Sequence, residues 1–172
     1  MRRREQSVDR CEECDFTYDL PEALVSGLMI HAPVAKLADI LRDADADVRS
    51  RRRPEIWSPL EYGCHVRDVL LVQRERVLAA RRRDRPTFEP MGRDERVEHD
   101  GYAEQSPDDV ARQLADAAQL FAHVLSRLAP AEWDRTVIYN YPRTAERSLR
   151  WVAMNTWHET RHHLLDVRRQ LA

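Results

Sequence analysis

Apolar positions along the chain recur at helical spacing in four stretches. The first runs from about Pro21 to Asp43, where Leu24, Leu28, His31, Ala35 and Ala38 fall near a 3.6-residue period and Pro33 predicts a kink or break. The second opens on Ser58-Pro59-Leu60-Glu61: a hydroxyl cap, proline at the first helical position and a glutamate completing a capping box. It continues to Arg81–Arg83, whose cations suit a helix C-terminus. The third opens in the same way on Ser106-Pro107, with Asp108 and Asp109 in its first turn, and carries Leu114, Leu120, Phe121 and Leu128 until Pro130 closes it. The fourth begins near Ser148 and continues to the C-terminus, with Trp151, Met154, His158, His162 and Leu165 on one stripe. No segment alternates convincingly with period two, so the expected architecture is an all-α helical bundle over residues 21–172, preceded by an N-terminal segment, 1–20, that carries Cys11-x-x-Cys14. The link from about Asp84 to Gln105 is too long for a helix–helix turn, so the second and third helices need not be antiparallel neighbours.

Composition narrows the class. A chain of 172 residues, 42% hydrophobic and 34% charged, with only four glycines, fits one folded helical domain with its own core. The net charge of −2 gives no global electrostatic case for nucleic acid. No apolar run approaches the ~20 residues of a membrane span, and the basic opening MRRREQSVDRCEEC lacks the apolar core of a secretory signal, so a cytoplasmic protein without membrane partners is expected. Three cysteines are too few for a disulfide framework. Cys11-Glu-Glu-Cys14 reads as half of a zinc site with no obvious second pair, as a redox motif without its βαβ context, or as an accessible dithiol or idle turn. Cys64 points about 100° away from His65 on a helix and reads as a small buried hydrophobe. There is no Gly-x-Ser-x-Gly elbow and no phosphate-binding glycine loop.

Histidines carry the candidate chemistry. His158 and His162 lie four apart, so on a helix both imidazoles project from one face and can chelate one ion. A third ligand has to come from another helix, and His65 shares a stripe with Tyr62, Val69 and Val72. Three converging buried imidazoles would repel one another if protonated, a conflict that a divalent cation resolves while leaving a coordination position open. The plainer alternative is two satisfied core histidines beside a surface one. His163 lies off the main stripe, as a supporting or surface residue; Asp166 is placed to fix an imidazole tautomer; Glu159 falls on a different face and receives no general-base role. Tyr139, Asn140 and Tyr141 precede the last helix and are candidate pocket residues, or simply a packed loop stopped by Pro142. Arg67, Arg143, Arg147 and Arg161 are candidate anchors for a cofactor's carboxylate, or solvated surface charges.

Gly63-Cys64-His65-Val66-Arg67-Asp68, Tyr139-Asn140-Tyr141-Pro142 and His158-x3-His162-His163-Leu164-x-Asp166, in that order, resemble the DinB-like superfamily. With the Cys-x-x-Cys start they resemble its actinobacterial branch. The resemblance implies an up-up-down-down four-helix bundle, often a homodimer, with a divalent metal, commonly zinc or nickel, held by His65, His158 and His162. It further implies a thiol S-transferase or isomerase acting on a small-molecule substrate with a low-molecular-weight thiol of the mycothiol or bacillithiol type, presented as a metal-activated thiolate. A metal-dependent hydrolase and a non-enzymatic, stress-related metal-binding dimer are the alternatives.

Overall fold

Serine caps start the three longest helices. In the computed structural model, which describes residues 10–141 and 143–172, Ser58 accepts the Glu61 amide while the Glu61 carboxylate accepts the Ser58 amide, so the capping box is complete at the head of α3 (Pro59–Arg82). Ser106 and Ser148 cap α5 (Pro107–Ser126) and α6 (Leu149–Leu171). The first helical stretch is broken as Pro33 predicts: a 3-10 turn (Leu20–Val25) and α1 (Ser26–Met29) lead into α2 (His31–Arg42), with the discontinuity one turn before the proline that cannot donate to Met29. A short α4 (Arg93–His99), absent from the sequence reading, lies in the long link between α3 and α5. The basic residues 1–9 and Pro142 lie outside the described residues.

Helix directions follow from which ends meet. Leu41, at the end of α2, approaches Gly63 near the start of α3, and Gly27 in α1 lies against Ala122 and Leu125 at the end of α5. Arg67 and Gln113, both early in their helices, are hydrogen-bonded, so α3 and α5 are parallel. Arg52, just before α3, reaches the Arg169 carbonyl at the end of α6, so α3 and α6 are antiparallel. The all-α four-helix bundle therefore has helices α2, α3, α5 and α6 in the order up-down-down-up, where the family resemblance implied up-up-down-down. The reason is the long link over residues 83–106, which carries the chain back along the bundle so that α5 restarts beside the start of α3.

A three-stranded sheet closes one side of the bundle, contrary to the expectation of no strands. β1 (Thr87–Phe88) pairs in parallel with β2 (Thr136–Asn140), which pairs antiparallel with β3 (Thr144–Ser148). These strands are short, and β3 is Thr-Ala-Glu-Arg-Ser, so no apolar alternation marks it.

The core stripe of the first hairpin arm is Ile30, Val34, Leu37 and Leu41, whereas Leu24 and Leu28 of the expected stripe are exposed. Leu120 of α5 is also exposed, beside buried Leu114 and Phe121. The stretch Leu20–Arg42 has the length and composition of a membrane span, but it is interrupted at Ile30 and its inner face packs into the core.

Candidate metal centre

Two helices converge on His65. It projects from the second turn of α3, buried, and faces Glu159 and His163 one turn apart on α6. Glu159 Oε2 lies 3.2 Å from His163 Nε2 and 3.9 Å from His65 Nε2, and one donor atom from each of the three residues falls within 4.8 Å of the others. His65 Nδ1 is buried without a hydrogen-bond partner, at a cost of about 1–3 kcal/mol.

Charge at this cluster is set by burial and by carboxylates. Burial lowers the pKa of His65 and keeps it neutral, ready to donate a lone pair. Burial also opposes a charge on His163, but hydrogen bonds to Asp166 and Glu159, at 3.0 and 3.2 Å, outweigh it and raise the pKa to about 9. Glu159 is likewise held ionised: burial works against the carboxylate, and the hydrogen bond from His163, with the His65 imidazole 3.9 Å away, overcomes it. Without an ion, the proton on His163 Nε2 balances Glu159; a metal ion would displace that proton and leave Asp166 accepting from Nδ1. Two imidazoles and a carboxylate are a donor set that suits a divalent cation such as zinc.

His158 and His162 face a different group. Their side of α6 is covered by the N-terminal segment, where Phe16 packs edge-on against Trp157 and contacts His158. There Cys11, Cys14, His158 and His162 bring their donor atoms within 4.8 Å of one another. Among the described residues the structure thus divides the expected set: His65 goes with Glu159 and His163, and the His158/His162 pair goes with the two cysteines. The carboxylate of Asp166 stands between them, 3.0 Å from His163 Nδ1 and 3.6 Å from His162 Nε2.

A cleft of about 620 Å³ opens over the His65 cluster, and His158 and His162 line it as well. Tyr139 forms part of its wall, its hydroxyl held at 2.6 Å by both Gln73 Nε2 and Arg76. Tyr141 lines the mouth beneath Arg93, whose guanidinium also lies over Trp57. Asn140 does not line the cleft; its side chain accepts from Thr144. The arginines singled out in the sequence lie elsewhere. Arg67 is buried in a network with Asp68, Gln105 and Gln113, Arg147 stacks on Trp151, and Arg161 stacks on Phe16, while Arg76 and Arg93 are the cleft's cations. Cys64 is fully buried, as expected, and burial pushes its thiol up to about 12.

The family profile described as the DinB superfamily matches residues 32–165, most of the chain. The chain belongs to the DinB superfamily. As a DinB-superfamily bundle it also superposes on a solved relative, YfiT from Bacillus subtilis, with a TM-score of 0.75 over 99% of this chain and 91% of that one, at 14% identity. That protein is described as a probable metal-dependent hydrolase with an unusual four-helix bundle topology. No curated protein matches the chain. Glu159 is the residue that the sequence reading passed over, although Glu159-x3-His163 has the same helical spacing as the chosen histidine pair.

Proposed function

We propose that this chain is a divalent-metal-dependent hydrolase whose ion is held by His65, Glu159 and His163. The observation that carries the reading is the convergence of two imidazoles and an ionised carboxylate on the floor of an open cleft, with three protein donors and room for a substrate beside them. A divalent ion bound there supplies Lewis acidity, lowering the pKa of a water or thiol and polarising an acyl or phosphoryl oxygen. The chain's own residues supply the rest. Neutral His65 and the Asp166-oriented His163 offer lone pairs, and Glu159 offsets the ion's charge. Tyr139 presents a hydroxyl fixed by Gln73 and Arg76, and Arg93 at the mouth attracts an anionic substrate group. The description of YfiT supports hydrolysis as the reaction type.

The thiol S-transferase remains the second reading, because the cleft extends well beyond the three donors and has space for a thiol such as mycothiol together with an electrophile. A zinc- or nickel-loaded preparation assayed against ester, amide and phosphoester panels, and against thiol-plus-electrophile pairs, separates the two. Turnover without thiol that a chelator abolishes supports the hydrolase. Turnover only with thiol replaces it with the transferase, and no turnover of either kind favours the non-enzymatic metal-binding protein.

A further inference from the structure

We infer that Cys11, Cys14, His158 and His162 form a second, structural metal site that takes one zinc ion and clips the N-terminal segment onto α6. The four donors come from a tight turn and a single helix face. Within the turn the Cys11 amide donates to the Phe16 carbonyl at 2.8 Å and the Asp15 amide donates to the Cys11 carbonyl at 2.9 Å. Asp15 sits in the left-handed region at φ +60°, and Arg10 bridges Thr17 across the base. This closed turn carries both sulfurs to the same neighbourhood, where Cys11 Sγ is 3.6 Å from His162 Nδ1.

The hydrogen bonds on the histidines fix which nitrogens are left to bind. The single Tyr18 hydroxyl proton goes to Asn155 Oδ1 at 2.9 Å, so the Tyr18 oxygen accepts from His158 Nδ1–H at 2.8 Å. The neutral ring then keeps its lone pair on Nε2, which is buried and has no hydrogen-bond partner. His162 offers Nδ1 toward Cys11 while its Nε2 faces the carboxylates of Asp166 and Glu13, at 3.6 and 3.8 Å. A carboxylate behind a ligating imidazole is the usual supporting arrangement of a zinc site.

The chemistry of the set selects the ion and the role. Two thiolates and two imidazoles, spaced Cys-x2-Cys and His-x3-His, match a tetrahedral zinc site, and four protein ligands leave no open position for catalysis. Binding releases the two thiol protons to solvent, and the two thiolates neutralise the dication. The clip holds Tyr18 in the wall of the cleft that His158 and His162 also line, so this site shapes the pocket of the neighbouring one.

The full-length protein, expressed with zinc, provides the test. Zinc-edge absorption spectra should show sulfur scatterers at about 2.3 Å, and Cys11 and Cys14 should resist alkylation until a strong chelator is added, after which labelling should accelerate at least tenfold. Cys11→Ser/Cys14→Ser should lose one zinc equivalent, and Glu159→Gln should keep the sulfur-bound one. Equal alkylation rates with and without chelator, a Cys11–Cys14 disulfide in freshly purified zinc-loaded protein, or a zinc spectrum without sulfur would each overturn the assignment, whether or not the variants fold.

Discussion

Replacing Glu159 by Gln keeps the shape of the side chain and removes the one negative charge that stands between His65 and His163, 3.9 and 3.2 Å from their Nε2 atoms. Loss of a group that merely orients a metal ligand typically weakens binding 10- to 100-fold. A carboxylate that itself binds the ion contributes more, so the expected loss is about 100- to 1,000-fold, or about 3–4 kcal/mol at 1.36 kcal/mol per decade. The fold should survive, because His163 keeps Asp166 at 3.0 Å and the remaining contacts of α6 are untouched. Competition of zinc against a chromophoric chelator measures the affinity, best in a Cys11→Ser/Cys14→Ser background so that the sulfur-containing group does not compete. In that background His158→Ala should change the affinity by less than threefold. If Glu159→Gln binds zinc as tightly as its parent, or if His158→Ala is as damaging as Glu159→Gln, the ligand set drawn from the structure is wrong.

Three further outcomes follow from named contacts. Cys64, fully buried with its thiol pushed up to about 12, should remain unlabelled by iodoacetamide in the native protein at pH 8 and react only after denaturation, as read by mass spectrometry; labelling in the native state would contradict the burial. Burial works against ionised Glu61, but hydrogen bonds from Arg51 and the Ser58 amide outweigh it and lower its pKa below the ordinary 4.5; the stability this contributes is present above that value and is lost as the pH falls through the lowered folded value. Arg51→Met should therefore flatten the acid limb of a stability-against-pH curve measured by urea unfolding, and an unchanged slope would refute the coupling. Leu24, Val25, Leu28 and Met29 expose a run of apolar surface at the start of the bundle, which supports the homodimer expected from the family resemblance; sedimentation at micromolar concentration should give a dimer mass, and a monomer would contradict it.

Signals written in a few neighbouring residues were legible in the sequence, and those that depend on the rotation of one element against another were not. Ser58-Pro59-x-Glu61 marked the start of α3, Pro33 marked the break before α2, and the length of the 84–105 link marked a connection that is no simple turn. The grouping of the candidate ligands turned on one step of helix rotation. His158/His162 and Glu159/His163 are both four-residue pairs, about 100° apart on α6. The buried face of that helix runs through Val152, Thr156, Thr160 and His163, so Glu159 and His163 meet His65 while His158 and His162 meet Phe16 and the cysteines. Nothing in the periodicity of α6 reveals that the N-terminal segment covers the second face, because that contact joins residues about 150 positions apart, as in Cys11 to His162. The strands were missed for a similar reason. β1 has two residues and β3 is polar, so their pairing with β2 leaves no alternation to read.

The position of the ion tests the central claim most directly. Anomalous scattering at the zinc edge from a zinc-loaded crystal should place a peak about 2.0–2.2 Å from donor atoms of His65, Glu159 and His163. A peak bound instead by His65 together with His158 and His162, or no peak at His65 in a fully loaded crystal, would contradict the account.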